Sequence, residues 1–433
     1  MFITLRSVKS LLLAIAILLV GHGLQLTLLP LHANSLGWSA SAIGFTASAY
    51  FVGFVLGCLT IPKMVSRVGH IRVFAVLSAV TAAVLLLMGI FEYFWVWLAA
   101  RCLTGWAIAG LYMIIESWLN ERASTTQRGT IISVYAVITM LAIFTGQFLL
   151  GLPLEGDDSL FMLAAVLLLL GLVPVGLTRA STPQPIPVIK FNLRRLYRST
   201  HVAVVGAFVG GLVTGGFWAL GPLFANLKGL ETSQVGLFMA AGILGGAVFQ
   251  LPFGKLSDSF DRRKIMVLIC ALSVVTCSLV VIASEVSVGM MYGLMFIFGA
   301  TCFPIYSLCL AHANDHSKLP LIEIASGILM LHGAGAVMAP VVIGPLMAMN
   351  VYALFYVFGA AYAMLGLWIA IRIRNHAVEV DESHPFVDLP KTTQSIVDLA
   401  PEDGAHDSDD DDAGSQRLPA GEDNKVVPLV SAA

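Results

Sequence analysis

The sequence Gly254-Lys-Leu-Ser-Asp258-Ser-Phe-Asp261-Arg262-Arg263-Lys264 joins two long apolar stretches, and it has a weaker counterpart earlier in the chain. The counterpart reads Pro62-Lys-Met-Val-Ser66-Arg67-Val-Gly69-His-Ile-Arg72, with Ser66 placed 192 residues before Asp258. Each copy is a short basic turn at the same place in a series of apolar segments. Internal repeats of this kind are built into many membrane folds. The pair of turns therefore predicts two related halves.

The composition indicates that most of the chain lies in lipid. Of its 433 residues, 58% are apolar and only 12% are charged, and the mean hydropathy is +0.87. A soluble domain carries roughly 25% charged residues, so this chain has too few charges for a water-facing surface. The six cysteines all lie in apolar stretches without Cys-x-x-Cys spacing. That pattern predicts buried thiols, with neither a metal site nor a disulfide framework.

Twelve segments are long and apolar enough to cross a bilayer, which takes roughly 20 residues each. The sequence thus predicts an all-α integral membrane protein of twelve transmembrane helices in two pseudo-symmetric six-helix bundles. The predicted spans, numbered 1 to 12, cover residues 10–31, 41–62, 72–90, 95–119, 130–151, 160–178, 201–224, 234–253, 265–283, 289–311, 323–347 and 351–372.

The basic residues of the loops are distributed unequally, which predicts the orientation of the chain. If the N-terminus lies in the cytoplasm, the cytoplasmic segments hold 19 Lys and Arg residues and the opposite loops hold only Lys228. Cytoplasmic loops carry such an excess of positive charge. We therefore expect a multi-pass protein of the bacterial inner membrane with both termini in the cytoplasm.

The spans divide six and six around a long connection. Residues 1–180 are predicted to form an N-terminal bundle, 181–200 a cytoplasmic linker and 201–375 a C-terminal bundle. The remaining residues, 376–433, are strongly acidic: of the 26 acidic and 24 basic residues of the chain, 14 and 3 lie after Arg374. A segment of this composition cannot bury a core, so we expect a disordered cytoplasmic tail.

The second basic turn resembles a motif of the major facilitator superfamily, Gly-x-x-x-Asp-Arg-x-Gly-Arg/Lys-Arg/Lys. It keeps Gly254, Asp258, Arg262 and Arg263, and it has Asp261 where the motif has glycine. The resemblance covers roughly residues 5 to 375. It implies a twelve-helix transporter fold in which these residues form a charged latch that holds the two halves together at the cytoplasmic face.

The first basic turn is a poorer copy of the same motif. It keeps Arg67 and Gly69 and ends at Arg72, but Pro62 and Ser66 replace the glycine and the aspartate. By the resemblance, Arg67, Gly69 and Arg72 also belong to the latch.

Span 4 carries Arg101-Cys-Leu-Thr-Gly105, which resembles an Arg-x-x-x-Gly motif that the superfamily has on this helix. Within the superfamily, the chain most resembles the YcaD-like bacterial transporters. Three short stretches carry this resemblance: Glu116-Ser-Trp-Leu, Arg128-Gly129 and Gly146-Gln147. Span 5 lacks the Gly-Pro pair that many antiporters of the superfamily carry, which weakens the case for a drug-efflux antiporter.

Two charged residues lie clearly within predicted spans, Arg101 and Glu116. Each costs roughly 2.5–3.5 kcal/mol at the centre of a helix on insertion scales. They lie about 22 Å apart along span 4 at ~1.5 Å per residue, so they cannot pair with each other. By resemblance Glu116 joins the latch near Arg67 and Arg72; the alternative is a proton-carrying carboxylate. The resemblance also implies a role for Arg101 in proton coupling or in binding the charge of the substrate. The alternative is an arginine whose hydrogen bonds are made to backbone carbonyls and water.

Several uncharged residues complete the set of cavity candidates. His22 and Gln25 share one face of span 1, and His332 lies near the middle of span 11. A histidine can relay a proton near neutral pH, although a neutral histidine bonded to a neighbouring helix is the simpler interpretation. In the superfamily spans 1, 4, 7 and 10 line the cavity, which by resemblance adds Trp218 and Tyr306.

The resulting hypothesis is a secondary transporter that moves a small solute by alternating access, coupled to protons, with efflux as one possible direction. The expected partners are the small-molecule solute, the lipid bilayer and protons. We expect a monomer, and we expect it to bind neither nucleic acid nor a cofactor. The alternative is a sensor or scaffold that signals through the acidic tail. An enzyme is disfavoured because no nucleophile, metal or nucleotide motif is present.

Overall fold

The structure, a computed structural model, describes residues 2–122, 128–156, 158–177, 193–317 and 319–375. Within these ranges it contains twelve helices that are long and apolar enough to cross a membrane. They are α1 Phe2–Ser35, α2 Ala40–Val68, α3 His70–Ile90, α4 Phe94–Arg122, α5 Arg128–Phe148, α6 Ser159–Leu170 with Leu172–Gly176, α7 His201–Leu227, α8 Thr232–Ser259, α9 Arg262–Ala283, α10 Val288–Cys302 with Pro304–His316, α11 Leu321–Met349 and α12 Ala353–Asn375.

The predicted fold class is confirmed, and the described helices correspond one to one with the predicted spans. Two helices are interrupted, α6 at Gly171 and α10 at Phe303. A break at Phe303 divides α10, because Pro304 has no backbone N–H with which to continue the ladder of hydrogen bonds. A short helix, Leu193–Ser199, precedes α7. Most of the predicted linker, residues 178–192, and all of the predicted tail, residues 376–433, lie outside the described residues, and the predicted domain boundaries stay predictions.

The helices present an apolar surface to their surroundings. Leu13, Val76, Val275 and Leu367 are 54%, 49%, 56% and 65% exposed, and many other large apolar side chains are exposed in the same way. A surface of this kind is stable in contact with lipid chains and not with water. The protein is therefore a multi-pass membrane protein whose outer surface contacts the bilayer.

Glycines bring α2 and α4 into backbone contact. A methyl group at Gly53 would overlap the carbonyl of Cys102, and one at Gly105 would overlap the carbonyl of Tyr50. Small residues let membrane helices approach this closely. The contact places the Tyr50 side chain of α2 beside the Arg101 side chain of α4.

The same reciprocal contact joins α8 to α10. A methyl group at Gly245 would overlap the carbonyl of Phe296, and one at Gly299 would overlap that of Gly242. The α8 residues follow their α2 counterparts by 192 positions, and the α10 residues follow their α4 counterparts by 194. The pseudo-symmetry of the two halves therefore extends to individual backbone contacts.

A second pair of contacts aligns α1 and α5 with α7 and α11. Gly23 of α1 packs on the backbone of Ile143, and Gly215 of α7 packs on that of Ala336. The offset is 192 residues between α1 and α7 and 193 between α5 and α11. These offsets identify the equivalent residues of the two halves.

The halves touch at the distal face, which we define as the side that carries the loops after α1, α3, α5, α7, α9 and α11. The opposite side, with the start of α1 and the end of α12, is the terminal face. Asn34 Nδ2 donates to Asn226 Oδ1 at 2.7 Å, and these two residues are equivalent, 192 positions apart. Gly44 packs on the backbone of Pro340, and Gly236 packs on that of Gln147.

Candidate functional site

A cavity of about 650 Å³ lies between the two halves. This volume is in the range of pockets for small molecules, roughly 300–1,000 Å³. None of the described residues that line it is an aspartate, glutamate, lysine or arginine. Most are apolar, and the polar and sulfur-bearing members are His22, Tyr50, Cys58, Tyr112, Ser133, Thr139, Met140, Thr214, Trp218, Gln250, Met330 and His332.

The N-terminal wall combines an aromatic residue, a histidine and an arginine. Tyr50 Oη lies 3.3 Å from His22 Nε2, and the guanidinium of Arg101 lies 4.6 Å from the centre of the Tyr50 ring. His22 and Tyr50 line the cavity, whereas Arg101 does not and stands behind Tyr50. Gln25 is fully buried and also lies outside the lining.

Glu116 is fully buried in α4 and accepts a hydrogen bond of 2.9 Å from the Tyr135 hydroxyl of α5. It is not among the lining residues, although Tyr112, one turn earlier, is. Arg67 and Arg72 are exposed, and neither forms an ion pair with another of the described residues. The structure thus brings Glu116 together with Tyr135; its latch role and its proton-carrying role both stay predictions.

The C-terminal wall contains a histidine that is hydrogen-bonded to its neighbouring helix. Thr214 Oγ1 lies 3.0 Å from His332 Nε2, and the Tyr306 ring packs edge-on against His332 with centroids 5.0 Å apart. Trp218 is half-buried in the lining. Tyr306 is buried behind the lining.

The two walls are equivalent, with histidine and threonine exchanged. Thr214 of α7 follows His22 of α1 by 192 positions, and His332 of α11 follows Thr139 of α5 by 193. All four residues line the cavity. In the C-terminal half the threonine and the histidine are bonded, whereas in the N-terminal half His22 Nε2 contacts Tyr50 and Thr139 Oγ1 is buried without a hydrogen-bond partner among the described residues.

The second basic turn forms a buried charge cluster at the terminal face. Arg262 Nε donates to Asp315 Oδ2 at 2.6 Å, and its Nη1 contacts Asp258 Oδ1 at 3.2 Å and Ser257 Oγ at 2.9 Å. The Arg262 and Asp315 side chains are only 4% and 2% exposed. Asp315 lies near the end of α10, and the sequence did not predict it as a partner of Arg262. The available signal was an acidic residue at a helix end on the same face as the basic turn.

A second ion pair lies beside this cluster. Arg263 Nη2 donates to Asp261 Oδ2 at 2.8 Å, and the Asp261 carboxylate also accepts from the Arg263 backbone at 2.9 Å. Burial raises the pKa of Asp261, but these hydrogen bonds outweigh it and hold the pKa below its usual value. Asp261, which departs from the motif's glycine, also caps the N-terminus of α9. Gly254 is buried one turn before Asp258.

The first basic turn is built differently. Gly69 has φ of +90°, in the region that favours glycine, and it joins α2 to α3. His70 occupies the place of Arg262, 192 positions earlier, and is buried with Nε2 3.4 Å from Ser117 Oγ. The described residues thus place an ion-pair cluster at the second turn, and at the first an uncharged contact with exposed arginines.

Comparison with known proteins identifies the family. The family model described as "Major Facilitator Superfamily" matches residues 11–340 and 204–398. The chain belongs to the Major Facilitator Superfamily. It is 27% identical to the "Uncharacterized MFS-type transporter YcaD" of Escherichia fergusonii, over 87% of this chain and 98% of that protein. It is 26% identical to the YcaD of an Escherichia coli strain, over 86% and 97%. The resemblance to YcaD-like transporters is confirmed.

Solved structures of the superfamily share the fold. The nucleoside transporter NupG has a TM-score of 0.69 at 12% identity, covering 84% of this chain and 98% of its own. A bacterial homologue of the human lysosomal transporter Spinster, in an inward-facing and occupied conformation, has a TM-score of 0.69 at 13% identity, covering 85% and 96%. At such identities the likeness establishes the fold of this superfamily member and leaves its solute open.

The superfamily consists of secondary transporters that bind small molecules within the membrane, and this chain has a cavity in the corresponding place. Of the predicted cavity residues, His22, Trp218 and His332 line it, while Gln25, Arg101, Glu116 and Tyr306 stand behind the lining. Thr139 and Thr214 were not predicted. The 192-residue repeat could have identified Thr214 as the counterpart of His22. The described residues contain no cluster of three potential metal ligands.

Proposed function

We propose that this superfamily member is a proton-coupled secondary transporter that moves a small solute by alternating access. The observation that carries the proposal is the cavity between the halves, together with the described contacts that join the halves on its distal side. Contacts between the halves are concentrated near the distal face, and the cavity lies on the terminal side of them.

The closure of the distal side rests on side-chain hydrogen bonds between the halves. Asn34 bonds Asn226, and Ser48 Oγ of α2 donates to the Val337 carbonyl of α11 at 2.8 Å. The α1, α5 and α7 helices continue beyond the last lining residues, Leu26, Phe144 and Trp218, without contributing to the cavity. The distal ends of these helices therefore extend past the cavity towards the distal face.

The α5 helix carries the lining towards the terminal face. On α5 the lining begins at Ile132, one residue inside the membrane-spanning part of the helix. Because the loop charges predict that the terminal face is cytoplasmic, we assign this arrangement to an inward-facing state. The Spinster homologue with the same fold was solved in an inward-facing conformation, which supports the assignment. The same proposal includes a monomer in the bacterial inner membrane with both termini in the cytoplasm.

Proton coupling is proposed for the histidines of the cavity. His22 and His332 face the solute space from opposite halves, and histidine exchanges a proton near neutral pH. Arg101 stands next to His22 and Tyr50, so binding or release of a proton at His22 changes the charge felt by Arg101. A solute that competes for these groups would be coupled to the proton.

The first experiment uses the full chain in proteoliposomes that contain a pH-sensitive dye. After a pH gradient is imposed, a coupled solute should dissipate the gradient, and the sign of the change distinguishes symport from antiport. The variant His22→Gln should transport without moving protons. If no solute in a metabolite and drug panel changes the gradient or crosses the bilayer, secondary transport is contradicted. Deleting residues 380–433 should leave the flux intact, whereas a sensor acting through the tail would lose its signal.

A second experiment tests alternating access at the distal contact. Replacing both Asn34 and Asn226 with leucine removes the hydrogen bond between the halves, so the distal side should open more often. The measurement is the labelling of Cys58, a lining residue, by a membrane-impermeant maleimide added from the distal face, in a variant that keeps only this cysteine. Ser35→Ala is the control, because Ser35 bonds only the local carbonyl of His32. An unchanged labelling rate in the double variant would contradict this role.

A further inference from the structure

Arg101 is a buried cation without a counterion in the described part of the chain. Its side chain is 6% exposed, and its Nη1 is buried with no hydrogen-bond partner. Its one described contact is the Tyr50 ring at 4.6 Å. An unpaired charge in a membrane interior is costly, and a face-on aromatic ring compensates it only in part, by about 2 kcal/mol when desolvated. This cation would be stabilised by an anion that comes from outside the chain.

The wall of the half that contains Arg101 has a hydrogen-bonding group that is not used. Thr139 Oγ1 is buried in this cavity wall and has no hydrogen-bond partner among the described residues. His22 also lies close enough to Arg101 to interact with it electrostatically. The equivalent groups of the other half, Thr214 and His332, are bonded to each other. The unbonded threonine hydroxyl of the equivalent pair is therefore in the same half as Arg101.

The remainder of the wall is apolar and aromatic. Phe51, Phe54 and Phe144 contribute from the N-terminal half, and Trp218 and Phe303 from the C-terminal half. The described residues of the lining include no carboxylate that could recognise a cation. A single cation behind one wall also cannot balance a doubly charged phosphate, which would require several arginines or lysines.

We propose that the transported solute is an amphipathic monoanion, a carboxylate attached to an apolar or aromatic body. The carboxylate binds beside His22, Tyr50 and Thr139, where it is nearest to Arg101, and the apolar body packs against the aromatic residues of the opposite wall. The inference rests on the proposed transport function, since it assigns the central cavity to the solute.

The test is a binding measurement on the full chain in lipid nanodiscs, without any gradient. Trp218 is the tryptophan that lines the cavity, and its fluorescence, taken as the difference from a Trp218→Phe sample, reports occupancy. The probes are phenylbutyrate, its methyl ester, phenylbutanol and phenylbutylamine. We expect phenylbutyrate to bind about tenfold tighter than the neutral probes, because hydrogen bonds to charged groups contribute that much, and phenylbutylamine to bind weakest.

Three variants assign the preference to the proposed site. Arg101→Met should remove the advantage of the carboxylate over the alcohol, while Arg101→Lys should keep part of it. Thr139→Val removes no described hydrogen bond of the protein itself, so this variant should fold normally. It should nevertheless reduce the advantage of the carboxylate over the alcohol. Equal binding of all four probes, or preference for the amine, would overturn the proposal. Selective binding without flux in proteoliposomes would instead contradict the transport function and leave the binding site in place.

Discussion

The two halves of the molecule share a backbone arrangement and differ in where they place charge. Gly53 and Gly105 of the N-terminal half have their counterparts in Gly245 and Gly299, with the same carbonyl contacts. At the position of Arg101, however, the C-terminal half has Met295, and Met295 is buried and uncharged. The repeat therefore preserves helix packing and leaves the side chains of the cavity free to diverge.

The basic turns show the opposite distribution. The C-terminal half has the buried Arg262–Asp315 pair, and the N-terminal half has His70 at the position of Arg262 and exposed Arg67 beside it. One half thus carries the buried cation Arg101, and the other carries a buried ion pair at the terminal face.

The largest expected effect is at the buried ion pair. Asp315→Asn leaves the Arg262 charge with the more exposed Asp258, so we expect a loss of about 3 kcal/mol in the free energy of unfolding, at the lower end for a broken buried pair. Arg67→Gln at the equivalent turn should change it by less than about 0.5 kcal/mol, as for exposed sites. Unfolding titrations in dodecyl sulfate measure both. Equal effects would contradict the described difference between the turns.

The next effect tests the shared backbone contact. Gly53→Ala and Gly245→Ala each force a methyl group into a carbonyl of the neighbouring helix, and overpacking of this kind costs typically 1–3 kcal/mol. The control is Gly293→Ala, because a methyl group there meets nothing within 4 Å. The same unfolding titration applies. The two halves should respond alike, and a tolerated Gly53→Ala with a damaging Gly245→Ala would break the symmetry argument.

A smaller effect separates the two threonine positions. Thr214→Val removes the hydrogen bond to His332 and should cost about 0.6 kcal/mol, the average for such bonds between membrane helices. Thr139→Val removes no described bond and should leave the free energy of unfolding unchanged. A loss of equal size at Thr139 would mean that its hydroxyl is used in the folded protein, against the proposed unoccupied polar site.

The smallest expected effect depends on pH and concerns Asp261. Its pKa is depressed by Arg263, so its contribution to stability is present above the unfolded pKa of about 3.9 and is lost as the pH falls through the folded value. Asp261→Asn, which still caps α9, should therefore be less stable than wild type at pH 7 and equal to it well below pH 4. A difference that persists at low pH would show that the ion pair is not its cause.

The sequence by itself determined the fold class, the span count and the repeat. Each of these depends on local composition, because about 20 apolar residues in a row suffice to cross a bilayer whatever their neighbours are. The basic turns and the Arg101 motif also sufficed to indicate the superfamily, since such motifs are contiguous in the chain. The spacing of 192 residues was readable before any contact was known.

Only the tertiary structure decided which side chains meet. Asp315 pairs with Arg262 across 53 residues, and Glu116 accepts a hydrogen bond from Tyr135. These contacts depend on how each helix is rotated and how closely glycines let it approach its neighbour, which apolar composition does not encode. In the same geometry Arg101 has no counterion among the described residues. The sequence could not show this, because uniformly apolar membrane helices give no signal for the partner of a buried charge.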